Sequence, residues 1–269
     1  MVLKDVVTRE LPRPRSHEEA LERLRELIKE LAKHYGQYIS FDTFREYLTK
    51  LCGEWRDGKF LQTRGFTECF NLVYKLLDGK LHEHCVNDCV RGRRFVRGEV
   101  RDITDLETRV GTVTYCENVC REGLPEGNVH VHTIGPEIPS SGDVSQALSP
   151  QNYGLCSCSV RRGKMRCVCI TTQYGDMDLD EAIDKMIKAH IDIDRVLTDV
   201  VKRMNFLARR EGKVATIEVP DKRYGTKYLI DVVLDDDIID RFVDEFVEKA
   251  DKICRYHGIC RVFKVEMEV

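Results

Sequence analysis

The chain has no long apolar run and no obvious targeting segment. None of its hydrophobic stretches approaches the ~20 residues that a membrane-crossing helix needs, so we expect no membrane partner. Met1–Val7 lacks the apolar core of a signal peptide, which predicts a cytoplasmic protein. A strong excess of one charge is also missing, because 43 Lys and Arg stand against 46 Asp and Glu. The net charge of -3 argues against a protein that binds nucleic acid through its overall charge.

Asn and Gln are scarce, whereas cysteine and charged residues are abundant. The chain of 269 residues contains 12 cysteines, and 33% of all its residues are charged. Many Lys, Arg and Glu with few amides are typical of thermophiles, and intracellular proteins of hyperthermophiles are a known case in which disulfides persist. Short spacings predict local pairs, although spacing alone does not fix the connectivity. The predicted pairs are Cys85 with Cys89, Cys116 with Cys120, and Cys254 with Cys260.

Helical periodicity is clear at both ends of the chain. Ser16-x-x-Glu19 is a capping box that opens an amphipathic helix, and further helices are predicted at 41–51 and 67–77. After Asp178 the pattern predicts two successive helices, the second ending near Gly212. Strands at 213–219 and 227–233, a helix at 238–254 and a last strand at 260–269 follow. The ends of the chain are therefore expected to be a helical region and a compact α+β module.

The stretch Asn128–Asp143, NVHVHTIGPEIPSSGD, carries the ligand types of a catalytic zinc site. His130 and His132 are two apart in a strand-like run, so both imidazoles project from one face. Ser140-x-x-Asp143 is a capping box for a helix at 141–147, and a helix N-terminus favours a carboxylate. Two histidines and a carboxylate can hold zinc with a water in the fourth position, where its pKa falls to about 7.

His130-x-His132, a Pro-containing loop and Ser140-x-x-Asp143 together resemble the signature of JAMM (MPN-domain) zinc metalloproteases and isopeptidases. That family reads His-Ser/Thr-His, usually followed by Pro, then a loop and Ser-x-x-Asp, with a glutamate on an earlier strand. The resemblance implies that His130, His132 and Asp143 bind Zn²⁺ and that Ser140 stabilises the oxyanion.

Two positions depart from the family pattern, and the general base has two candidates. Val131 stands where the family has Ser or Thr, and Thr133 stands where it usually has Pro. The resemblance implies an upstream glutamate as the base. Glu107 is favoured over Glu99, because Glu107 followed by Gly111 resembles the family's Glu then Gly entering a strand.

The resemblance covers about residues 107–170 and implies an α/β (α+β) fold. We expect a JAMM-like core with a mixed sheet flanked by helices at residues 96–172. An N-terminal helical region at 1–95 and the C-terminal α+β module at 173–269 would flank it. The implied activity is a zinc-dependent peptidase or isopeptidase acting on a protein or ubiquitin-like conjugate. The acidic helix faces of the C-terminal module suit a partner or a homodimer.

Other cysteine and histidine clusters leave alternatives open. The segment 155–170 is predicted to be a hairpin with Arg162-Gly163 at its turn, which puts four cysteines on one side. They would be buried or disulfide-paired, with a second zinc site as the alternative. Their opposed positions are Cys156 with Cys169 and Cys158 with Cys167. A structural zinc is also an alternative to disulfides at His82, His84, Cys85 and Cys89.

A competing function comes from the basic run around Phe95. The run is suited to phosphate, and it contains Arg91, Arg93, Arg94 and Arg97. The alternative hypothesis is therefore a cysteine-stapled or structural-zinc protein that binds nucleic acid or protein without catalysis. A degenerate JAMM scaffold, which binds its partner without cleaving it, is a further alternative.

Overall fold

The fold is described from a computed structural model, which covers residues 13–77, 83–89, 92–97, 99–100, 114–115, 120, 126–221 and 226–269. Within those ranges the helices are α1 (His17–Lys33), α2 (Phe41–Cys52), α3 (Phe66–Leu76), α4 (Ser141–Ala147), α5 (Leu179–Glu211) and α6 (Asp236–His257). The strands are β1 (Gly53–Arg56), β2 (Lys59–Gln62), β3 (His84–Cys89), β4 (Gly92–Arg97), β5 (Glu99–Val100), β6 (Thr114–Tyr115), β7 (Gly127–Val131), β8 (Gly154–Arg161), β9 (Lys164–Thr172), β10 (Val214–Asp221), β11 (Thr226–Val233) and β12 (Cys260–Glu268). The chain is a mixed α/β protein, as the sequence predicts.

A six-stranded mixed sheet forms the centre, in the order β12-β9-β8-β7-β3-β4. Its neighbours are antiparallel except β7 and β8, which run parallel. The remaining strands form separate antiparallel pairs, β1 with β2, β5 with β6 and β10 with β11. Strands from all three predicted regions therefore share one sheet. The JAMM-like identity of the core stays a prediction.

Helices cover both faces of the sheet. On one face α1 buries its leucines against the side chains of Val129 and Cys158, among others. Ser16 caps this helix as predicted, since its Oγ accepts from the N–H of Glu19 at 3.1 Å. The predicted capping box is not closed, because the Glu19 carboxylate accepts from the N–H of Arg15 rather than that of Ser16. On the other face lie α2, α4 and α6, whose apolar residues form a second core together with Leu155 and Val168. The central strands are thus enclosed on both sides, and polar residues on them need partners inside the protein.

The structure has one 33-residue helix, α5, where the sequence predicts two. The region between the two apolar patterns contains neither Gly nor Pro, and Ala189 and Ile193 continue the buried stripe through it. Gly212 ends the helix at the predicted position, with φ of 68°. In the part of the chain that the structure describes, no helix has both the length and the apolar composition of a bilayer span.

The predicted hairpin is confirmed as β8 and β9, with Arg162 and Gly163 both at positive φ in its two-residue turn. Cys156 and Cys169 are bonded at 2.02 Å, and Cys158 and Cys167 at 2.00 Å. Because these four thiols are used in disulfides, they form no second zinc site.

The local pairs predicted in the first half of the chain are wrong. Cys89 pairs with Cys120 rather than with Cys85, and this also excludes the predicted Cys116–Cys120 bond. Cys85 is itself in a disulfide, which removes the thiols that a structural zinc would need there. Cys89 ends β3, and its partner lies 31 residues further along the chain, beyond the reach of a local pair. The predicted Cys254–Cys260 bond is confirmed.

Candidate metal centre

The candidate ligands gather at the carboxyl end of β7. His130 lies on this strand and His132 directly follows it, while Asp143 lies in the first turn of α4. A parallel pair such as β7 and β8 requires a crossover connection, and here the crossover contains α4. The topology therefore places the start of α4 beside the end of β7, which brings the carboxylate to the two imidazoles.

The distances between the ligand atoms suit one bound ion. The Nε2 atoms of His130 and His132 are 3.0 Å apart, and Asp143 oxygens lie 3.5 Å and 3.9 Å from them. Two atoms bound to zinc at tetrahedral angles are roughly 3.4 Å apart. The ligand atoms are all within 4.8 Å of one another, and this is the cluster of metal-binding type found among the described residues. His130, His132 and Asp143 could thus hold a metal ion.

Both imidazoles have their Nδ1 atoms already engaged. His132 Nδ1 donates to the carbonyl of Pro136 at 2.7 Å, and this carbonyl can only accept. His130 Nδ1 donates to Oδ1 of Asn128 at 3.2 Å, and the amide of Asn128 in turn donates to Asn87. The two Nε2 lone pairs therefore point at each other, and a cation between them is needed to relieve the repulsion. Such Nδ1 partners are the usual support of metal-bound histidine.

Without a metal, a proton takes the place of that cation. Burial would lower the pKa of His130, but the charges of Asp143 and Glu83 outweigh it and raise this pKa to about 9. Burial and the nearby His130 charge lower the pKa of His132 below its usual value. Burial would raise the pKa of Asp143, but the two histidines and a backbone N–H hold it well below its usual range. At neutral pH His130 therefore carries an additional proton and a positive charge, His132 is neutral, and the Asp143 carboxylate is ionised.

The predicted capping box fixes the Asp143 carboxylate. The Ser140 N–H donates to Asp143 Oδ2 at 2.7 Å, and the Asp143 N–H donates to Ser140 Oγ at 3.2 Å. Ser140 itself is exposed at the edge of the site. The capping bond uses a lone pair of its hydroxyl, so the hydroxyl hydrogen remains available to a substrate oxygen.

The structure brings Glu83 to the ligands, a residue that the sequence does not single out as functional. Glu83 directly precedes β3, whose His84 and Cys85 pair with Val131 and His130. Alternation along β3 puts Glu83 on the sheet face that carries His130. Burial raises the pKa of Glu83 to about 7, the charge of His130 opposes this, and the charge of Asp143 adds to it. A carboxyl group that titrates near neutral pH thus stands beside the candidate ligands.

Ser157 of β8 is a second unpredicted member of the site. Its side chain is fully buried, and its Oγ lies 3.2 Å from His130 Nε2 and 3.5 Å from Asp143 Oδ2. The buried Ser157 hydroxyl can donate to the Asp143 carboxylate, while His132 and Asp143 remain partly exposed to solvent.

The other predicted site residues lie elsewhere or outside the described residues. Glu107 and His82 fall outside the described residues, and Glu99 begins the two-residue strand β5. His84 is buried, and its ring is 5.5 Å from Tyr38. In the basic run, the Phe95 ring stacks at 3.7 Å on His34 and is therefore packed against the protein. The nucleic-acid hypothesis stays a prediction.

The JAMM resemblance, which stays a prediction, offers one sequence signal for Glu83. The family pattern asks for a glutamate on an earlier strand, and Glu83 precedes β3, which pairs with β7. The stretch around it, LHEHCVND, also contains two histidines and a cysteine, so its residue types favour a structural metal site or a disulfide over a catalytic base. Ser157 and Asn128 gave no comparable signal, because single polar residues on buried strands are common.

The geometry by itself thus establishes a cluster able to bind a metal ion, with a titratable carboxyl beside it. Comparisons with protein-family models, with curated proteins and with solved structures find no match to this chain.

Proposed function

We propose that the protein is a zinc-dependent hydrolase of amide bonds, a peptidase or isopeptidase of the JAMM type. The observation that carries the proposal is the convergence of His130 Nε2, His132 Nε2 and Asp143 on one point, with both Nδ1 atoms already bound elsewhere. The presence of Glu83 beside these ligands supports a catalytic site over a purely structural one.

The donor set favours zinc and an open coordination position. Two imidazoles and one carboxylate are a common ligand set of catalytic zinc, whereas structural sites use four protein ligands, mostly cysteine. The side chains of His132 and Asp143 are 15% and 18% exposed, so a substrate can approach the ligands from solvent. Zinc held there would polarise a carbonyl group and lower the pKa of water, which is the chemistry that amide hydrolysis needs.

Glu83 is proposed as the general acid–base group in place of Glu107. A carboxyl with a pKa of about 7 can accept a proton from water at neutral pH and donate it to the leaving amine. Burial raises the pKa of Glu83, and the pairing of β3 with β7 places its carboxyl group beside the candidate ligands. Ser140 supports the reaction from the exposed side, where its hydroxyl can donate to the developing oxyanion.

The substrate class rests on the resemblance to JAMM proteins. The proposed substrate is a protein joined to a ubiquitin-like modifier. The bond cleaved would be the amide bond between the C-terminal tail of the modifier and that protein. Fold-level and motif-level likeness do not identify the physiological conjugate. A linear fusion of a ubiquitin-like domain to a reporter is therefore the first substrate to test.

The metal assignment is tested by zinc content and cleavage in wild type and His132→Ala. Wild type is expected to bind one zinc per chain and to cleave the fusion, whereas His132→Ala loses both. His190→Ala is the matched control, because His190 contacts Ser141 but contributes no ligand atom. Stoichiometric zinc and full cleavage in His132→Ala would refute the assignment. Zinc binding by wild type without any cleavage would favour the non-catalytic scaffold.

The assignment of the base is tested by comparing Glu83→Gln with Glu107→Gln. Glu83→Gln is expected to keep its zinc and to lose about 10²–10⁴-fold in the rate of cleavage, which is the usual contribution of a general acid–base group. If Glu107→Gln is the variant that loses the rate while Glu83→Gln keeps it, the sequence-based assignment of Glu107 is right and Glu83 is not the base.

A further inference from the structure

A fully buried arginine with three carboxylate partners lies on β8, the strand that also carries Ser157. Arg161 ends β8 and is fully buried. Its Nε donates to Glu137 Oε2 at 3.0 Å, and its Nη2 donates to Glu137 Oε1 at 2.7 Å. Glu137 is also buried, and Ser159 Oγ donates to its Oε2 at 2.8 Å. This two-point contact fixes the orientation of the carboxylate as well as its position.

Carboxylates of α6 balance the charge of the same guanidinium. Arg161 donates to Asp236 at 2.7 Å and to Asp240 at 2.6 Å, both in the first turns of the helix. Asp236 also accepts from Arg45 of α2. A buried ion pair is weak support for stability, because apolar residues of similar volume are often as stable. Stability alone therefore does not explain this ion pair, but the position of Glu137 in the chain does.

Glu137 adjoins the residue that orients His132. The carbonyl of Pro136 accepts the hydrogen bond from His132 Nδ1, and Glu137 is the next residue in the chain. A fixed Glu137 therefore fixes the preceding peptide group, which holds the hydrogen of His132 on Nδ1. This leaves Nε2 unprotonated and turned to the other ligands, as metal binding requires.

We propose that the Glu137–Arg161 ion pair is the positioning device of the metal centre, which holds the Pro136 carbonyl against His132 and so sets the tautomer and direction of this ligand. The inference rests on the metal site of the proposed function, but it does not require that the protein be a hydrolase. It assigns Glu137 and Arg161 as positioning residues, since neither belongs to the cluster of candidate ligands.

The test compares two carboxylates that accept from the same Nη2 atom of Arg161, one in the ligand loop and one on α6. Glu137→Gln alters the side facing the ligand loop, and Asp240→Asn alters the side facing α6. Zinc affinity is measured by chelator competition, and the His132 tautomer is read from imidazole ¹⁵N chemical shifts, assigned by their loss in His132→Ala. Glu137→Gln is expected to weaken zinc binding about tenfold, the lower end for groups that support metal-binding histidines, and to reduce the Nδ1–H tautomer. Asp240→Asn is expected to stay within about twofold, because Asp236 still balances Arg161.

The outcomes separate positioning from stability. Both variants are expected to lower the melting temperature, so only the zinc affinity and the tautomer distinguish them. Equal zinc affinity and an unchanged tautomer in Glu137→Gln would overturn the proposal. If Glu137→Gln does not fold, Arg161→Lys replaces it, since a lysine keeps the charge but cannot make the two-point contact with Glu137. Unchanged zinc affinity and tautomer in Arg161→Lys would likewise overturn the proposal. If wild type binds no zinc, the proposed function fails, but the tautomer of His132 in the metal-free protein still decides this inference.

Discussion

The two faces of β8 differ in chemistry although both are buried. Toward α1 the strand presents Cys156, Cys158 and Val160, which belong to an apolar cluster. Toward α4 and α6 it presents Ser157, Ser159 and Arg161, all fully buried and all bonded to polar partners. A strand covered on both faces normally reads as a continuous apolar run. Polar residues at alternate positions of such a strand therefore indicate a site.

The face of β8 toward α1 is bonded covalently within the sheet, whereas the opposite face is hydrogen-bonded to residues of the metal centre and the loop beside it. On the α1 face, two disulfides join β8 to β9 at adjacent positions of the same register. On the other face, hydrogen bonds run from the strand to Asp143 and Glu137 on the connection between β7 and β8. We expect the α1 face, with its two disulfides, to contribute mainly to the free energy of unfolding. We expect the polar face, formed by Ser157, Ser159 and Arg161, to contribute mainly to metal binding. Three predictions test this division.

The largest expected effect is the loss of a disulfide from the α1 face. The double variant Cys158→Ala, Cys167→Ala opens a loop of sequence separation 9 and is expected to lose about 2–3 kcal/mol of unfolding free energy, measured by denaturant titration. Zinc affinity is expected to stay within twofold, because neither sulfur faces the ligands. The variant Cys254→Ala, Cys260→Ala is the control for a disulfide elsewhere in the fold. A large loss of zinc affinity in the first variant alone would show that the two faces are not independent.

The next effect is the pH dependence of the polar face. The pKa of His130 is raised to about 9 in the metal-free site, so zinc must displace a proton at neutral pH. Zinc affinity should therefore rise about tenfold per pH unit from pH 7 and level off above about pH 9, with about one proton released. The same shift stabilises the metal-free fold below the unfolded pKa of about 6.5, and this contribution is lost as pH rises through 9.

Calorimetry in buffers of different ionisation enthalpy measures the proton release directly. A zinc affinity that does not change between pH 7 and pH 8.5 would mean that His130 is neutral in the metal-free protein. The disulfide variant should give the same pH profile as wild type, because the α1 face contributes no titrating group to the site.

The sequence is informative where the site is local and fails where it depends on sheet register. His130, His132 and Asp143 fall within a short segment, so strand alternation and a capping box were sufficient to predict their approach. Glu83 reaches the same site only because β3 pairs with β7, and nothing local encodes that pairing.

The same distinction explains the cysteines and the long helix. The two bonds between β8 and β9 follow from a two-residue turn, which fixes the register of a hairpin. The bond between Cys89 and Cys120 joins the end of β3 to a residue 31 positions further along the chain, and short spacing predicts the wrong partner. The apolar residues at 182–187 and at 196–204 predict two helices, but no Gly or Pro between them ends a helix, and α5 is continuous.

The smallest effect separates two roles for Ser157. If its hydroxyl donates to Asp143, Ser157→Ala should weaken zinc binding by about 0.5–1.5 kcal/mol, which is two- to tenfold, with little change in stability. Ser157→Cys should act in the opposite direction, since a thiolate so close to His130 and Asp143 would add a fourth protein ligand. Zinc would then bind more tightly while cleavage is lost, because the position for water is closed. If both variants weaken zinc equally, Ser157 is only a packing residue, and the polar face of β8 serves the site through Glu137 and Arg161 alone.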